Sequence, residues 1–176
     1  MMVDSHIIYI IGFMGSGKTT AGKKLAELLG WSFIDLDNKV EEHIGKTIPE
    51  IFLQDGEAFF RTTETGLLKE LNSQTNSVIS TGGGTPCFGD NMDYMIKTGL
   101  TVYLKMTPEQ LKYRLSDSKG KRPLIKDLDQ GKLQGFIEEK LAERENWYSK
   151  SEIIVEGDNL DINQLHSIVK SRLNTL

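Results

Sequence analysis

The chain contains a single cysteine, Cys87, among 176 residues. An internal disulfide and a multi-cysteine metal centre are therefore excluded, and a reducing compartment suits it best. Basic charge is not in excess, since 21 Lys and Arg face 25 Asp and Glu for a formal net charge of −4. That balance lacks the electrostatic footprint of a dedicated nucleic-acid binder. The histidines, His6, His43 and His166, are scattered and suggest no metal site. Long apolar runs are missing as well. The stretch at residues 7–11 is far too short to span a bilayer, and Asp4 precedes it where a signal peptide would carry positive charge. Repeats, low-complexity tracts and linkers are also lacking. What is present is 38% apolar residues, enough to bury one sizeable core. We expect one cytoplasmic, monomeric domain over residues 1–176 whose partner is a small molecule, not a nucleic acid or a membrane.

Short runs rich in β-branched and aromatic residues read as buried strands: "HIIYII" from His6, "SFIDLD" from Ser32, "SVIST" from Ser77, "LTVYLKM" from Leu100 and "EIIVE" from Glu152. Helical patterns lie between them. "GKTTAGKKLAELLG" spaces Ala21, Leu25, Leu28 and Leu29 on a helix and ends at Gly30. "IPEIFLQDGEAFFRTTETGLLKELN" predicts one or two helices, with Pro49 near a start and Gly56 at a break. "TPEQLKYRL" opens with Thr107 as cap, Pro108 in the first turn and Gln110 at the capping-box position. "FIEEKLAERENWY" predicts a helix with Ile137, Leu141 and Trp147 on or near one side. Alternating strands and helices imply an α/β fold, with a parallel sheet covered on both faces. Ligands of such sheets sit beyond the carboxyl ends of the strands.

The most informative stretch is "IIYIIGFMGSGKTTAGKKL". Gly12-x4-Gly17-Lys18-Thr19 has the spacing of a phosphate loop, with a strand before it and a helix after it. Backbone N–H groups of such a loop, Gly15, Ser16 and Gly17 included, cradle phosphate oxygens at the helix N-terminus. Lys18 is then placed to reach the β- and γ-phosphates, the Thr19 hydroxyl to ligate Mg²⁺, and Thr20 to lie near the α-phosphate. A glycine-rich turn that binds nothing would not need this lysine and threonine. A GTPase switch would need Asn-Lys-x-Asp after a late strand. The nearest text, "NKVE" at Asn38, ends in Glu41 beside the second strand.

Other positions are open to two readings each. Asp35 and Asp37 in "DLD" end the second predicted strand, and period-two geometry would put both carboxylates on one side. Like charges in a sheet are expensive, which favours a metal or substrate role. Alternatively, Asp37 simply caps "NKVEEHIG". Arg61 in "EAFFRTTE" has Glu57 and Glu64 at helical spacing and reads either as a binding cation or as a surface ion-pair ladder. Gly82, Gly83 and Gly84 in "STGGGTPC" permit close approach to the backbone or form a plain turn. Arg114 and Arg122 flank the polar segment of "LKYRLSDSKGKRPLI", the composition of a mobile flap with cations. Arg144 in "LAERENWY" sits between Glu143 and Glu145, as on a charged helix face. Cys87 reads as a packing residue.

Taken together, "GFMGSGKTT", "DLD", "IPEIFLQDGEAFFRTTE", "STGGG", "KRPLI" and "LAERENWY" resemble the shikimate kinase family in order and near spacing, over roughly residues 6–156. The resemblance implies a three-layer α/β/α fold with a five-stranded parallel sheet in the order 2-3-1-4-5. It implies substrate-binding helices over about 38–72 and a flap over about 114–126. The implied reaction is ATP- and Mg²⁺-dependent phosphorylation of the 3-hydroxyl of shikimate. Asp35 would hold Mg²⁺ through water. Asp37 would bind the substrate hydroxyls and act as candidate base, and Arg61 and Arg144 would bind the substrate carboxylate. Gly82 to Gly84 would line the pocket, Arg122 would contact the phosphates with Lys18, and Arg114 would stack on adenine. One departure stands out: after the last strand the family often carries an Asn/Arg/Pro-containing turn near adenine, whereas this chain has "EGDNLDINQL". The rivals are a gluconate- or nucleoside-monophosphate-kinase-like enzyme and a non-catalytic ATP-binding adaptor. An adaptor would have no need of Lys18, Asp37 and Arg122 together.

Overall fold

Alternation along each strand decides which face of the sheet its side chains enter. In the computed structural model, which describes residues 6–73, 76–116 and 130–174, the first strand, β1 (Ile7–Ile11), is fully buried. Ile7, Tyr9 and Ile11 point to one side of it, and Ile8 and Ile10 to the other. The chain continues through α1 (Lys18–Leu29), β2 (Ser32–Asp35), α2 (Leu36–Ile44), α3 (Ile48–Gln54) and α4 (Glu57–Glu70). Then follow β3 (Ser77–Ser80), α5 (Asn91–Thr98), β4 (Leu100–Lys105), α6 (Pro108–Ser116), α7 (Gln130–Tyr148), β5 (Ile153–Glu156) and α8 (Ile162–Leu173). The strands form one parallel sheet in the order β2-β3-β1-β4-β5, with Tyr9 of β1 in register with Ile79 of β3 and Thr101 of β4. All five expected strands and their implied order are present.

Two cores hold the layers together. On one face Ala21, Leu25 and Ala26 of α1 and Leu165 and Val169 of α8 pack on Ile8, Ile10, Val78 and Val102. On the other, Leu68 of α4, Met92 and Met95 of α5, Leu111 and Leu115 of α6, and Leu133, Ile137 and Tyr148 of α7 cover Tyr9, Ile79 and Tyr103. Each such aliphatic side chain contributes about 1.5–3 kcal/mol by leaving water. A third, smaller cluster of Val40, Ile51 and Phe60 ties α2, α3 and α4 together. Among the described residues no helix is long and apolar enough to cross a membrane.

Local signals set the element ends. Gly30 stops α1 in the left-handed region at φ 69°. The 48–70 segment is two helices, broken at Gly56 with φ 87°. Thr107 and Gln110 form the expected capping box, with Thr107 N donating to Gln110 Oε1 at 2.8 Å and Gln110 N to Thr107 Oγ1 at 3.3 Å.

Two local expectations need correction. The second strand stops at Asp35, so Asp37 lies in the first turn of α2 and not on a strand. The cap of α2 is Asp35, whose Oδ1 accepts from Asp37 N at 3.1 Å and Asn38 N at 3.4 Å, because a carboxylate just before the first turn can reach its unpaired N–H groups. On α7 the expected side of Ile137, Leu141 and Trp147 does face the core, and Tyr148 joins it as the fully buried aromatic, since the 3.6-residue period carries the stripe on to position 148.

Candidate active site

The sheet delivers its chemical residues to one end because every strand runs the same way. From β1 the chain turns through Gly15 at φ 81° and Gly17 at φ 89°, values that a side chain would resist, and enters α1 at Lys18. Lys18 Nζ donates to Gly12 O and Phe13 O, both at 2.9 Å, so the ammonium is folded over the loop it serves. Thr19 Oγ1 donates to Asp35 Oδ2 at 2.8 Å, which joins the start of α1 to the end of β2. A hollow of about 300 Å³ opens here, lined by Gly15, Gly17, Lys18, Thr19, Thr20, Asp35, Asp37 and Arg114 among others. Ser16 is buried within the loop. Arg114 reaches across from α6. Its Nη1 donates to Ser16 O at 3.4 Å, and its Nη2 to Asp158 Oδ1 at 3.1 Å and Gly157 O at 3.3 Å. It thus bridges the loop and the turn after β5, the place where the sequence departs from the family pattern.

A second hollow, of about 250 Å³, shares Lys18 and Asp37 with the first. Ile48, Pro49, Phe52 and Phe60 form its apolar wall, and Arg61, Arg144 and the glycine triplet form its polar one. Arg61 is held from both ends of its helical turn. Nη1 donates to Glu64 Oε2 at 2.8 Å, and Nε to Glu57 Oε1 at 3.4 Å. Glu64 is completely buried and also accepts from the Thr85 hydroxyl. Burial works against the Arg61 charge, but the Glu64 and Glu57 carboxylates outweigh it and hold the guanidinium above its ordinary pKa. Arg144 lies over the Phe13 ring at 5.3 Å, and its buried Nη1 has no hydrogen-bond partner among the described residues. An unsatisfied buried guanidinium arm facing a cavity is the donor that an incoming anion would meet.

The triplet is glycine because side chains occupy the space a Cβ would need. A Cβ on Gly82 would lie 2.9 Å from Asp37 Oδ1 and 2.8 Å from Glu64 Oε1, and one on Gly83 would lie 3.2 Å from Arg144 Nη1. On Gly84 it would collide with the Arg61 guanidinium, 2.8 Å from Cζ. The close approach is therefore made by the pocket's own charged groups. Asp37 is squeezed among them. Burial, then the Glu64 and Asp35 charges, push its carboxyl up to about 6 against the pull of Lys18 and Arg61. A carboxylate poised near neutral pH beside a cationic pocket suits orienting a hydroxyl and taking its proton.

The fold thus brings Lys18, Thr19, Asp35 and Asp37 together with Arg61, Arg144, Gly82, Gly83 and Gly84 at one end of the sheet, and Arg114 at its rim. Arg122 and residues 117–126 of the expected flap lie outside the described residues. Neither Arg61 nor Arg144 stands on a freely solvated charged face. Arg144 falls on the Leu133–Ile137–Tyr148 stripe, and Glu64 falls between Phe60 and Leu68 on the buried side of α4. Sequence reasoning counted Glu64 only as an ion-pair neighbour. Its position on an apolar stripe, four residues from each of two core residues, was the signal of something more. Cys87 is a packing residue whose thiol burial pushes up to about 11, well away from a nucleophile's range.

Comparison with known proteins follows the same lines. A family model described as shikimate kinase matches residues 14–174. The shikimate kinase of Parabacteroides distasonis is 41% identical over 170 residues, covering 96% of this chain and 98% of the relative. The crystal structure of shikimate kinase from Bacteroides thetaiotaomicron superposes with a TM-score of 0.89 at 40% identity, over 96% of this chain and 98% of that one. A shikimate kinase from Acinetobacter baumannii, solved in complex with shikimate, gives a TM-score of 0.86 at 33% identity, over 98% and 95%.

Proposed function

The chain belongs to the shikimate kinase family, enzymes of the shikimate pathway that use ATP, and from that premise we propose how its residues divide the transfer of the γ-phosphoryl group to the 3-hydroxyl of shikimate. The observation that carries the reading is the wall shared by the two hollows. Lys18 and Asp37 line both, so a triphosphate on one side and an alcohol on the other would meet between them. That the Acinetobacter baumannii relative was solved with shikimate supports the same ligand in the acceptor hollow.

In this reading Arg61 and Arg144 grip the shikimate carboxylate, the planar anion that forked guanidinium donors fit. Gly82 to Gly84 floor the pocket. The apolar wall of Ile48, Phe52 and Phe60 covers the ring. Asp37 binds the reacting hydroxyl and accepts its proton late, because phosphoryl transfer is loose and rests mainly on alignment and charge compensation. Lys18 and Arg122 offset charge on the transferring group, the loop N–H groups hold the β-phosphate, and Arg114 offers a flat face to the adenine. Closure of the 114–126 segment would exclude the water that otherwise hydrolyses ATP.

The Thr19 hydroxyl and Asp35 carboxylate, 2.8 Å apart at the edge of the phosphate hollow, are hard oxygen donors of the kind Mg²⁺ takes. Among the described residues no cluster of three or more His, Cys, Asp or Glu side chains competes for a metal. Bound there, Mg²⁺ would supply positive charge to the β- and γ-phosphates. Asp35 would orient it through water while its other oxygen keeps the cap of α2. We place the enzyme in the cytoplasm as a monomer.

The test is ADP release in a coupled assay, run with ATP and Mg²⁺ and with shikimate, gluconate or a nucleoside monophosphate as acceptor. Release that depends on shikimate and is absent with the other two is expected. Release equal in the presence and absence of shikimate would overturn the residue assignment.

A further inference from the structure

We infer that Tyr148 is a positioning residue for the acceptor pocket, setting the reach of Arg144 by locking the end of α7 to the glycine triplet. The inference rests on the proposed role of Arg144 as a carboxylate ligand. Tyr148 closes α7 and stands four residues after Arg144, so both leave the helix on one side. Its side chain is 0% exposed, and its hydroxyl donates to Gly83 O at 2.5 Å, across 65 positions of the chain. Burial, the larger influence, pushes the phenol well above its ordinary range although Arg144 pulls the other way, so the proton stays on the oxygen and the bond keeps its direction. A buried hydroxyl without that acceptor would be strongly disfavoured.

The same glycine meets the guanidinium from its other side. The space where a Gly83 Cβ would stand is 3.2 Å from Arg144 Nη1, the arm with no hydrogen-bond partner. One residue of the triplet is therefore the reference point for both side chains. Apart from the Phe13 ring beneath the guanidinium, no bond among the described residues fixes Nη1, so its aim depends on where α7 sits relative to Gly83. The helix end has a second anchor that does not touch the pocket. The Tyr103 hydroxyl donates to Glu145 Oε2 at 2.9 Å, and Lys105 Nζ donates to Glu145 Oε1 at 2.7 Å. Tyr103 and Tyr148 rings are tilted together at 5.1 Å. This pair of anchors allows positioning to be separated from mere stability.

The experiment is a double-mutant cycle on the full chain with Tyr148→Phe and Arg144→Ala, and with Tyr103→Phe as the control for stability alone. Steady-state constants for shikimate and ATP and the thermal midpoint are measured for each. Tyr148→Phe keeps the ring, and it should raise the shikimate KM by about tenfold, the size of one lost hydrogen bond. kcat and the ATP KM should change by less than about twofold. In the Arg144→Ala background the same change should add almost nothing, since coupled residues are not additive. Tyr103→Phe should lower the thermal midpoint comparably and leave the shikimate KM alone. Additive losses, an equal rise in KM from Tyr103→Phe, or a wild-type KM in Tyr148→Phe while Arg144→Ala is impaired would each overturn the inference by itself. An unchanged KM in Arg144→Ala would overturn the carboxylate role first and the inference with it.

Discussion

The phosphate hollow is built round one short run, Gly15 to Thr20, with Asp35, Asp37, Ser80, Thr81 and Arg114 closing it, whereas the acceptor hollow draws Asp37 from α2, Arg61 from α4, Gly84 from the loop after β3 and Arg144 from α7. The first is centred on a backbone turn, with Gly15 and Gly17 at positive φ, the conformation in which loop N–H groups can be presented to an anion. The second is made of charges that hold one another: Glu64 fixes Arg61, Gly84 makes room for it, and Arg61 and Lys18 temper Asp37. A backbone site tolerates change around it as long as the local turn survives. A charge-built site transmits a single substitution to every partner, because each group was desolvated on the strength of the others.

That contrast can be broken most decisively at Lys18, which belongs to both hollows. Lys18→Ala should lower kcat by about a thousandfold or more, through loss of charge compensation on the transferring group, with the circular-dichroism spectrum unchanged. Next come the acceptor cations. Arg61→Ala and Arg144→Ala should each weaken shikimate binding by about 2–4 kcal/mol, read by titration calorimetry, with ATP affinity little altered. Equal losses for both ligands would erase the distinction between the halves.

Asp37→Asn should cut kcat by about a hundredfold, and wild-type turnover should fall as pH drops through about 6, where Asp37 takes up its proton. Its stability effect has the opposite sign. A carboxyl raised from 3.8 to about 6 binds its proton more tightly in the folded state, so its contribution is present below 3.8 and lost as pH rises through about 6. The charged form therefore weighs against the fold at neutral pH, and Asp37→Asn should be the more stable protein in urea at pH 7.5. Equal stability would mean that the neighbours already neutralise the cost of burial. The smallest effect is expected at a residue that lines neither hollow: Thr47→Ala removes the hydroxyl that donates to Glu50 Oε2 at 2.7 Å while leaving the 2.8 Å bond from Thr47 N, and should lower stability by about 1 kcal/mol without changing kcat.

The same contrast governs what could be read before the structure. Strands and the phosphate loop announce themselves within a few residues, through β-branched runs and one fixed spacing, and all five strands and the loop are present, the second strand ending two residues early at Asp35. α5 and α8 escaped notice because their buried faces rest on few residues, Met92 and Met95 in one and Leu165 and Val169 in the other. The extended pattern places Asp37 on the strand because it gives no warning that Leu36 already turns. For the acceptor side, position within the helical period was the missing clue. Arg144, Tyr148 and Glu64 all occupy the buried stripe of their helices, yet glutamates beside Arg144 and an arginine beside Glu64 made a solvated surface the simpler inference. No local rule pairs Tyr148 with Gly83, since that bond exists only once the sheet has brought two distant segments together.

Lys18 and Asp37 line both chambers, so one ammonium and one carboxylate stand at the boundary between them. A synthetic molecule could therefore run straight through it, a ring acid at one end and a polyphosphate mimic at the other. Such a conjugate would lose its freedom of movement once where two separate ligands lose it twice. Its dissociation constant should fall well below that of either fragment, and the linker length giving the tightest complex would measure the span that the reacting phosphorus must cross.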